Sequence, residues 1–158
     1  MADYREAFVG IDVAKLKNAI AVAESGRDGE VRYFGEVDAS DGSMRRIIQR
    51  IAAKFDHVHF CYEAGPTGYG LYRLIQSLGY KCMVVAPSLI PRKPGDRVKT
   101  NRRDALALAR LLRAGELTAV WVPDEGHEAM RDLVRARAAA VETLRVHRQQ
   151  VSAFMLKH

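Results

Sequence analysis

The spacing of apolar positions changes several times along the chain, and each change predicts an element. Ala7–Ile11 is a short apolar run around Gly10, and Asn18–Ala23 is a second run, compatible by itself with strand or helix. Between Ala23 and Val31 stands Ser25-Gly26-Arg27-Asp28-Gly29, a strong turn signal. Val31–Val37 follows, with Val31, Tyr33 and Val37 on one parity of a strand. These runs predict three consecutive strands joined by tight turns, an antiparallel meander. From Met44 the period becomes helical. Met44, Ile47, Ile48, Ile51 and Phe55 share one face, with Ser40 or Ser43 as the cap and the helix reaching Phe55.

His57–Tyr62 reads as a fourth strand, broken by Ala64-Gly65-Pro66-Thr67-Gly68. A helix over 69–78 ends at Gly79, a fifth strand over 81–86 stops at Pro87, and Pro91, Pro94 and Gly95 mark a loop. A further helix covers 101–113 and ends at Gly115; Val120–Val122 is short and extended. After Gly126 there is no Pro or Gly. Met130, Val134, Arg137, Val141, Leu144, Arg148, Val151 and Met155 recur at alternating four- and three-residue steps, a heptad seam containing two arginines.

The order βββαβαβα, with right-handed crossovers after the third strand, predicts an α/β domain: a mixed five-stranded sheet with flanking helices. The last helix is too long to pack wholly on so small a sheet, and its seam calls for a partner, a second copy or the remainder of a longer chain. The expected division is a sheet domain over 1–122 and the start of a coiled-coil, dimerising helix over 123–158. The heptad pattern still runs at His158, which reads as a domain cut from a longer polypeptide.

Composition supports one ordinary folded domain: 158 residues, 48% hydrophobic and 28% charged. No apolar run approaches the ~18 residues of a membrane span, and the first seven residues carry no apolar leader. Cys61 and Cys82 lie in strand-like runs at a spacing that fits no zinc or redox motif, so both read as reduced residues of a cytoplasmic protein's core. His57 and His59 read as structural or surface residues.

Charge changes the picture more. Eight basic residues and only two acids fall between Arg92 and Arg113; the rest of the chain holds 17 of each, so the whole surplus of +6 lies in one segment. Concentrated basicity suits a polyanion, because each neutralised phosphate releases condensed counterions. Arg92, Lys93, Arg97, Lys99, Arg102 and Arg103 are the candidate nucleic-acid contacts. The segment holds no aromatic residue, which favours contact with the phosphate backbone over base stacking. The plainer reading is a solvated, charged loop and helix face.

Three acids fall where a site could form. Asp12 interrupts an apolar strand, Glu63 stands at the carboxyl end of the fourth strand, and Asp104 lies in a helix's first turn, three residues after Asn101 on the same face. Strands one and four can be neighbours in this topology, so Asp12 and Glu63 can share a crevice. Clustered carboxylates repel each other, and a hard divalent cation such as Mg²⁺ relieves that repulsion. Two such ions, about 3.5–4 Å apart, clamp the attacking and leaving oxygens of a phosphoryl displacement. Individually, each acid also has an ordinary reading as a strand end, a turn residue or a helix-dipole partner.

Taken together, G-I-D-V-A-K at Gly10–Lys15, Y-E-A-G-P-T-G at Tyr62–Gly68 and K-T-N-R-R-D-A at Lys99–Ala105 resemble the amino-terminal domain of the insertion-sequence 110 transposases. These are also called DEDD transposases, after an acidic tetrad on a RuvC-like, RNase H-type fold. The resemblance covers essentially the whole chain, and His127–Arg137 is similar to the family's connecting coiled coil. It implies that Asp12, Glu63, Asn101 and Asp104 are the four catalytic positions, with Asn101 standing where the tetrad's name calls for Asp. It implies metal held by Asp12, Glu63 and Asp104, DNA as substrate, and for some members a structured RNA encoded by the element. It also implies a homodimer or higher oligomer through residues 125–158, action at the bacterial nucleoid, and a carboxyl-terminal domain with a catalytic serine that this chain lacks. The expectation is a transposase catalytic domain that does not complete recombination alone. The alternative is a nucleic-acid-binding and dimerising module without turnover. An actin-like ATPase starts with a similar strand and Asp, but Val13-Ala14-Lys15 offers neither glycine nor hydroxyl to cradle phosphates.

Overall fold

Strand β2 (Lys17–Glu24) is apolar on both parities, which requires a layer on each side of the sheet. The computed structural model describes residues 5–91 and 99–157 and supplies both layers. The five strands β1 (Glu6–Asp12), β2, β3 (Val31–Asp38), β4 (His57–Glu63) and β5 (Lys81–Val85) form one sheet in the order β3-β2-β1-β4-β5. β1, β2 and β3 pair antiparallel, as the meander predicts; β4 is parallel to β1, and β5 to β4. This mixed five-stranded sheet with flanking helices is the α/β arrangement expected from the sequence.

The two faces differ in side-chain size. Val9, Ile11, Ile20, Val22, Phe60 and Tyr62 share one face through the register, and all are buried. That large-residue face carries α1 (Asp41–Ala52), whose Met44 meets Asn18 of β2, and α2 (Gly70–Ser77), which packs against α1 and β5. The other face presents Gly10, Ala19, Ala21, Ala23 and Cys61. Helix α3 (Asn101–Ala114) lies on it and answers with Ala105, Leu108 and Ala109. Small residues on both partners let helix and sheet approach closely.

Several boundaries depart from expectation for identifiable reasons. α1 starts after Ser40 without a side-chain cap bond and ends at Ala52; Phe55 lies past it, under the Arg5 guanidinium. β4 runs one residue further than expected and closes on Glu63. The late extended contact centres on Ala119, which bridges Val85, and reaches only to Val120, whose amide donates to the Val84 carbonyl at 2.8 Å. Val37 is not on the parity of Tyr33. Ile20 opposes Gly35 while Ala21 opposes Tyr33, so Phe34 is an extra residue in a bulge. Gly35 takes φ 120° there, a conformation that glycine adopts without a Cβ penalty. The bulge turns both Tyr33 and Glu36 onto the α3 face and sends Val37 to the opposite one.

Cys61 is buried, with its thiol toward the Leu108 carbonyl at 3.7 Å, and Cys82 is half-buried; both are free. Burial raises both thiols, that of Cys82 to about 12, so neither is a nucleophile at neutral pH. His59 stacks on Phe8 and bonds Glu6 at 2.7 Å, a structural role in keeping with its reading.

The chain divides into two units, the first through Trp121 and the second from Val122. The second is α4 (Glu125–Met155), 31 residues and about 46 Å long. Asp124 caps it, accepting from the His127 amide at 2.8 Å. No residue of α4 is buried, and Met130, Val134, Val141, Leu144, Val151 and Met155 are all exposed. Among the described residues, no helix is long and apolar enough to cross a membrane.

Candidate functional site

β1 and β4 are adjacent parallel strands, and each ends on an acid. The register pairs Ile11 with Tyr62, so Asp12 and Glu63 follow on the next rung, about 4.8 Å apart along the sheet and on one face. That face is the one covered by α3. Gly10, two residues before Asp12, lies beneath Ala105 and Ala109 of the helix. At the opposite end of α3, the Arg113 guanidinium reaches the Glu24 carbonyl, beside the start of β1. The helix therefore runs antiparallel to β1 and delivers its first turn, with Asp104, to the end of the strand where Asp12 stands.

Thr100 caps that first turn, its hydroxyl accepting from the Arg103 amide at 3.2 Å. The convergence registers electrostatically. Burial, then the charge of Asp104, then that of Glu63 raise Asp12 to about 6, and Lys99 opposes them. Asp104 and Glu63 thus approach Asp12 from two other elements closely enough to act on its charge, as does Lys99.

The donor set has the chemistry of a hard-cation site, since its three members are all carboxylates. It is not a closed cage: among the described residues, no three His, Cys, Asp or Glu side chains stand close enough to hold one ion. Asn101 is the first residue of α3, and its Nδ2 donates to Glu36 Oε1 of β3 at 3.5 Å. Glu36, Ala19 and Asp12 occupy one rung across three strands. Glu36 was not legible in the sequence as a site residue, because only the bulge at Gly35 places it on this face.

Two residues that hold the loops beyond the acids, Asn18 and Tyr62, were likewise not legible as such. Asn18 is 2% exposed. Its Oδ1 accepts from the Ala14 amide at 3.1 Å, just past Asp12, and its Nδ2 donates to Met44 Sδ at 3.3 Å. The Tyr62 hydroxyl donates to the Gly68 carbonyl at 3.1 Å and secures the loop after Glu63. The available signal was a polar atom inside an apolar run, which must find a partner when buried.

Of the six basic candidates, Arg92, Lys93 and Arg97 lie outside the described residues. Lys99, Arg102 and Arg103 are exposed at or beside the amino end of α3, next to the carboxylates. Arg102 lies over the ring of Tyr33, 5.2 Å from its centroid. Burial and then Glu36 raise the Tyr33 hydroxyl, against a lowering effect of Arg102. An aromatic from β3 therefore joins a basic patch whose own segment contains none.

The chain is 85% identical over all 158 residues to a Sinorhizobium fredii protein named "Putative transposase y4qE", of which it spans 40%. It is 36% identical over 154 residues, 97% of this chain, to the transposase for insertion sequence element IS1533 of Leptospira borgpetersenii, of which it spans 44%. The chain is thus less than half the length of these curated relatives. Among solved structures it is similar to Thermus thermophilus RuvC, with 13% identity, 72% of this chain and 99% of that chain covered, and a TM-score of 0.48. T. thermophilus RuvC in complex with a Holliday junction substrate gives 12% identity over the same shares and a TM-score of 0.47. Residues 9–158 match the family model of the IS110-type DEDD transposases. With nearly its whole length inside that match, this chain belongs to the DEDD transposase family of the IS110 type.

Proposed function

We propose that this chain is the acidic catalytic domain of a DNA transposase, acting on phosphodiester bonds with divalent metal. One observation carries the reading: adjacent strands β1 and β4 and the first turn of α3, laid over Gly10, bring Asp12, Glu63 and Asp104 to one end of the sheet, where burial first, then the charges of Asp104 and Glu63, raise Asp12 to about 6. Asp12, Glu63 and Asp104 would hold the metal, Mg²⁺ as a pair of ions, with Asn101 an oxygen donor at the third tetrad position. Metal bound there supplies Lewis-acid stabilisation of the attacking and leaving oxygens.

The chain's own residues do the rest. Gly10 and the alanines of β2 and α3 let the helix sit low, so Asp104 reaches the strand ends. Asn18 and Tyr62 hold the loops beside Asp12 and Glu63. Lys99, Arg102 and Arg103, joined by Arg92, Lys93 and Arg97, bind the DNA backbone and orient it over the carboxylates. In this reading residues 1–122 are the catalytic domain, and residues 123–158 begin a coiled coil through which a homodimer or larger oligomer forms. The longer protein takes a structured RNA encoded by its element and works at the nucleoid; this chain alone does not complete recombination.

The test is recombination by the full-length protein. Asp12→Ala and Glu63→Ala abolish it while circular dichroism and melting remain those of a folded protein; wild-type activity in both variants overturns the assignment. Asn101 and the open spacing of the carboxylates favour a second reading, a binding and dimerising module without turnover. Calorimetry with Mg²⁺ and Mn²⁺ separates the two, since the catalytic reading requires heat of binding that Asp12→Ala removes.

A further inference from the structure

At the opposite end of α3 from Asp12 lies an open cavity of about 450 Å³ whose wall includes Glu6, Ser25, Gly26, Arg27, Arg110 and Arg113. Three arginines meet there from two elements distant in sequence, the β2–β3 turn and the end of α3. A basic residue near a helix carboxyl end is ordinarily explained by the helix dipole, and that account suffices for Arg113. It does not cover Arg27, which is on the turn.

The cluster is held in place. Arg113 Nη1 donates to the carbonyls of Glu24 at 3.1 Å and Gly29 at 2.8 Å, clamping both ends of the turn onto the helix. Arg27 and Arg110 are exposed, and neither has an ion-pair partner among the described residues. The one acid in the wall, Glu6, is bonded to His59 Nε2 at 2.7 Å. Two uncompensated guanidinium forks, a serine hydroxyl and a glycine backbone are the donors that recognise a phosphate group.

We infer that this cavity is a second phosphodiester-backbone contact, separate from the basic residues beside the carboxylates. The inference rests on the nucleic-acid reading above and extends it to a new surface. Arg102 and Arg110 are eight residues apart on one helix, about 12 Å. A nucleic-acid strand advances about 3.4 Å per phosphate, so a strand lying along α3 meets both clusters within three or four phosphates.

The test measures binding of the 158-residue chain to a short labelled DNA duplex and to an RNA hairpin by fluorescence anisotropy, between about 50 and 200 mM salt. Arg27→Ala with Arg110→Ala lowers the log–log salt slope by roughly 2 on whichever polymer the cavity serves and weakens binding about tenfold. Arg27→Lys with Arg110→Lys keeps the slope. An unchanged slope on both polymers, while Lys99→Ala with Arg102→Ala still lowers it, overturns this inference and leaves the nucleic-acid reading standing. An unchanged slope in all these variants overturns both.

Discussion

Gly10 of β1 lies against the backbone of α3 so closely that a Cβ at position 10 would stand 2.5 Å from the Ala109 amide nitrogen. The same atom would stand 2.5 Å from the Ala105 carbonyl oxygen. No side-chain rotation relieves such a contact, so a larger residue must lift the helix. Gly10→Ala therefore costs at least the 1–3 kcal/mol, roughly, of an overpacked core. It also moves Asp104 away from Asp12, so Asp12 titrates closer to an ordinary aspartate. Thermal melting and an NMR titration of Asp12 read the two effects.

Asp12→Asn stabilises the metal-free protein while disabling it. Folded Asp12 titrates near 6 and its unfolded counterpart near the ordinary 3.8. Between those values the folded state holds a proton that the unfolded chain has lost, so stability falls as pH rises from about 4 to about 6. Asp12 is half exposed and solvent screens it, which leaves a penalty on the order of 1 kcal/mol above pH 6. The Asn variant melts higher by that amount near neutral pH and equals wild type near about pH 4. Denaturant melts across this range check it.

Asn101→Asp restores the charge that the family's name calls for. Divalent-cation affinity rises roughly tenfold by calorimetry, as one more anionic oxygen joins the donors. The new carboxylate also faces Glu36, the present partner of the Asn101 amide, so the metal-free variant melts lower. Glu36→Gln in the same chain recovers the melting temperature.

The proposed seam predicts that α4 associates with a second copy through its apolar stripe. Val141 and Leu144 are exposed in the single chain, so Val141→Glu with Leu144→Glu disrupts no core. Sedimentation velocity shows dimers or larger species for the wild type and monomers for the variant, with the melting of the first unit unchanged. A wild type that stays monomeric at high micromolar concentration removes the seam's assigned role.

Much of this was legible in the sequence because strand and helix periods differ and the breaks are marked by Gly and Pro. The meander, the parallel fourth and fifth strands and the long last helix follow from that alternation. Asp12 and Glu63 were legible as neighbours because both acids close apolar runs that the topology places side by side. The two-step reach from β3 to the site was not legible, because the bulge at Gly35 shifts parity and neither Glu36 nor Tyr33 carries that shift in its own identity. The sequence treated the basic segment as one patch; α3 separates it, because residues eight apart on a helix stand far from each other. Gly10 looked like part of a strand motif, and only the packed helix reveals the demand for a missing side chain.

The extra residue in β3 makes the two halves of that strand independent in handedness of display. A residue at position 35 that refuses φ 120° would flatten the bulge at unchanged strand length, turning Glu36 away from α3 and exchanging it with Val37. Hydropathy would register almost nothing, yet the charge bordering the crevice would change. Replacement of this one glycine is therefore a route by which related chains can retune the acidity of the site while leaving every tetrad position untouched.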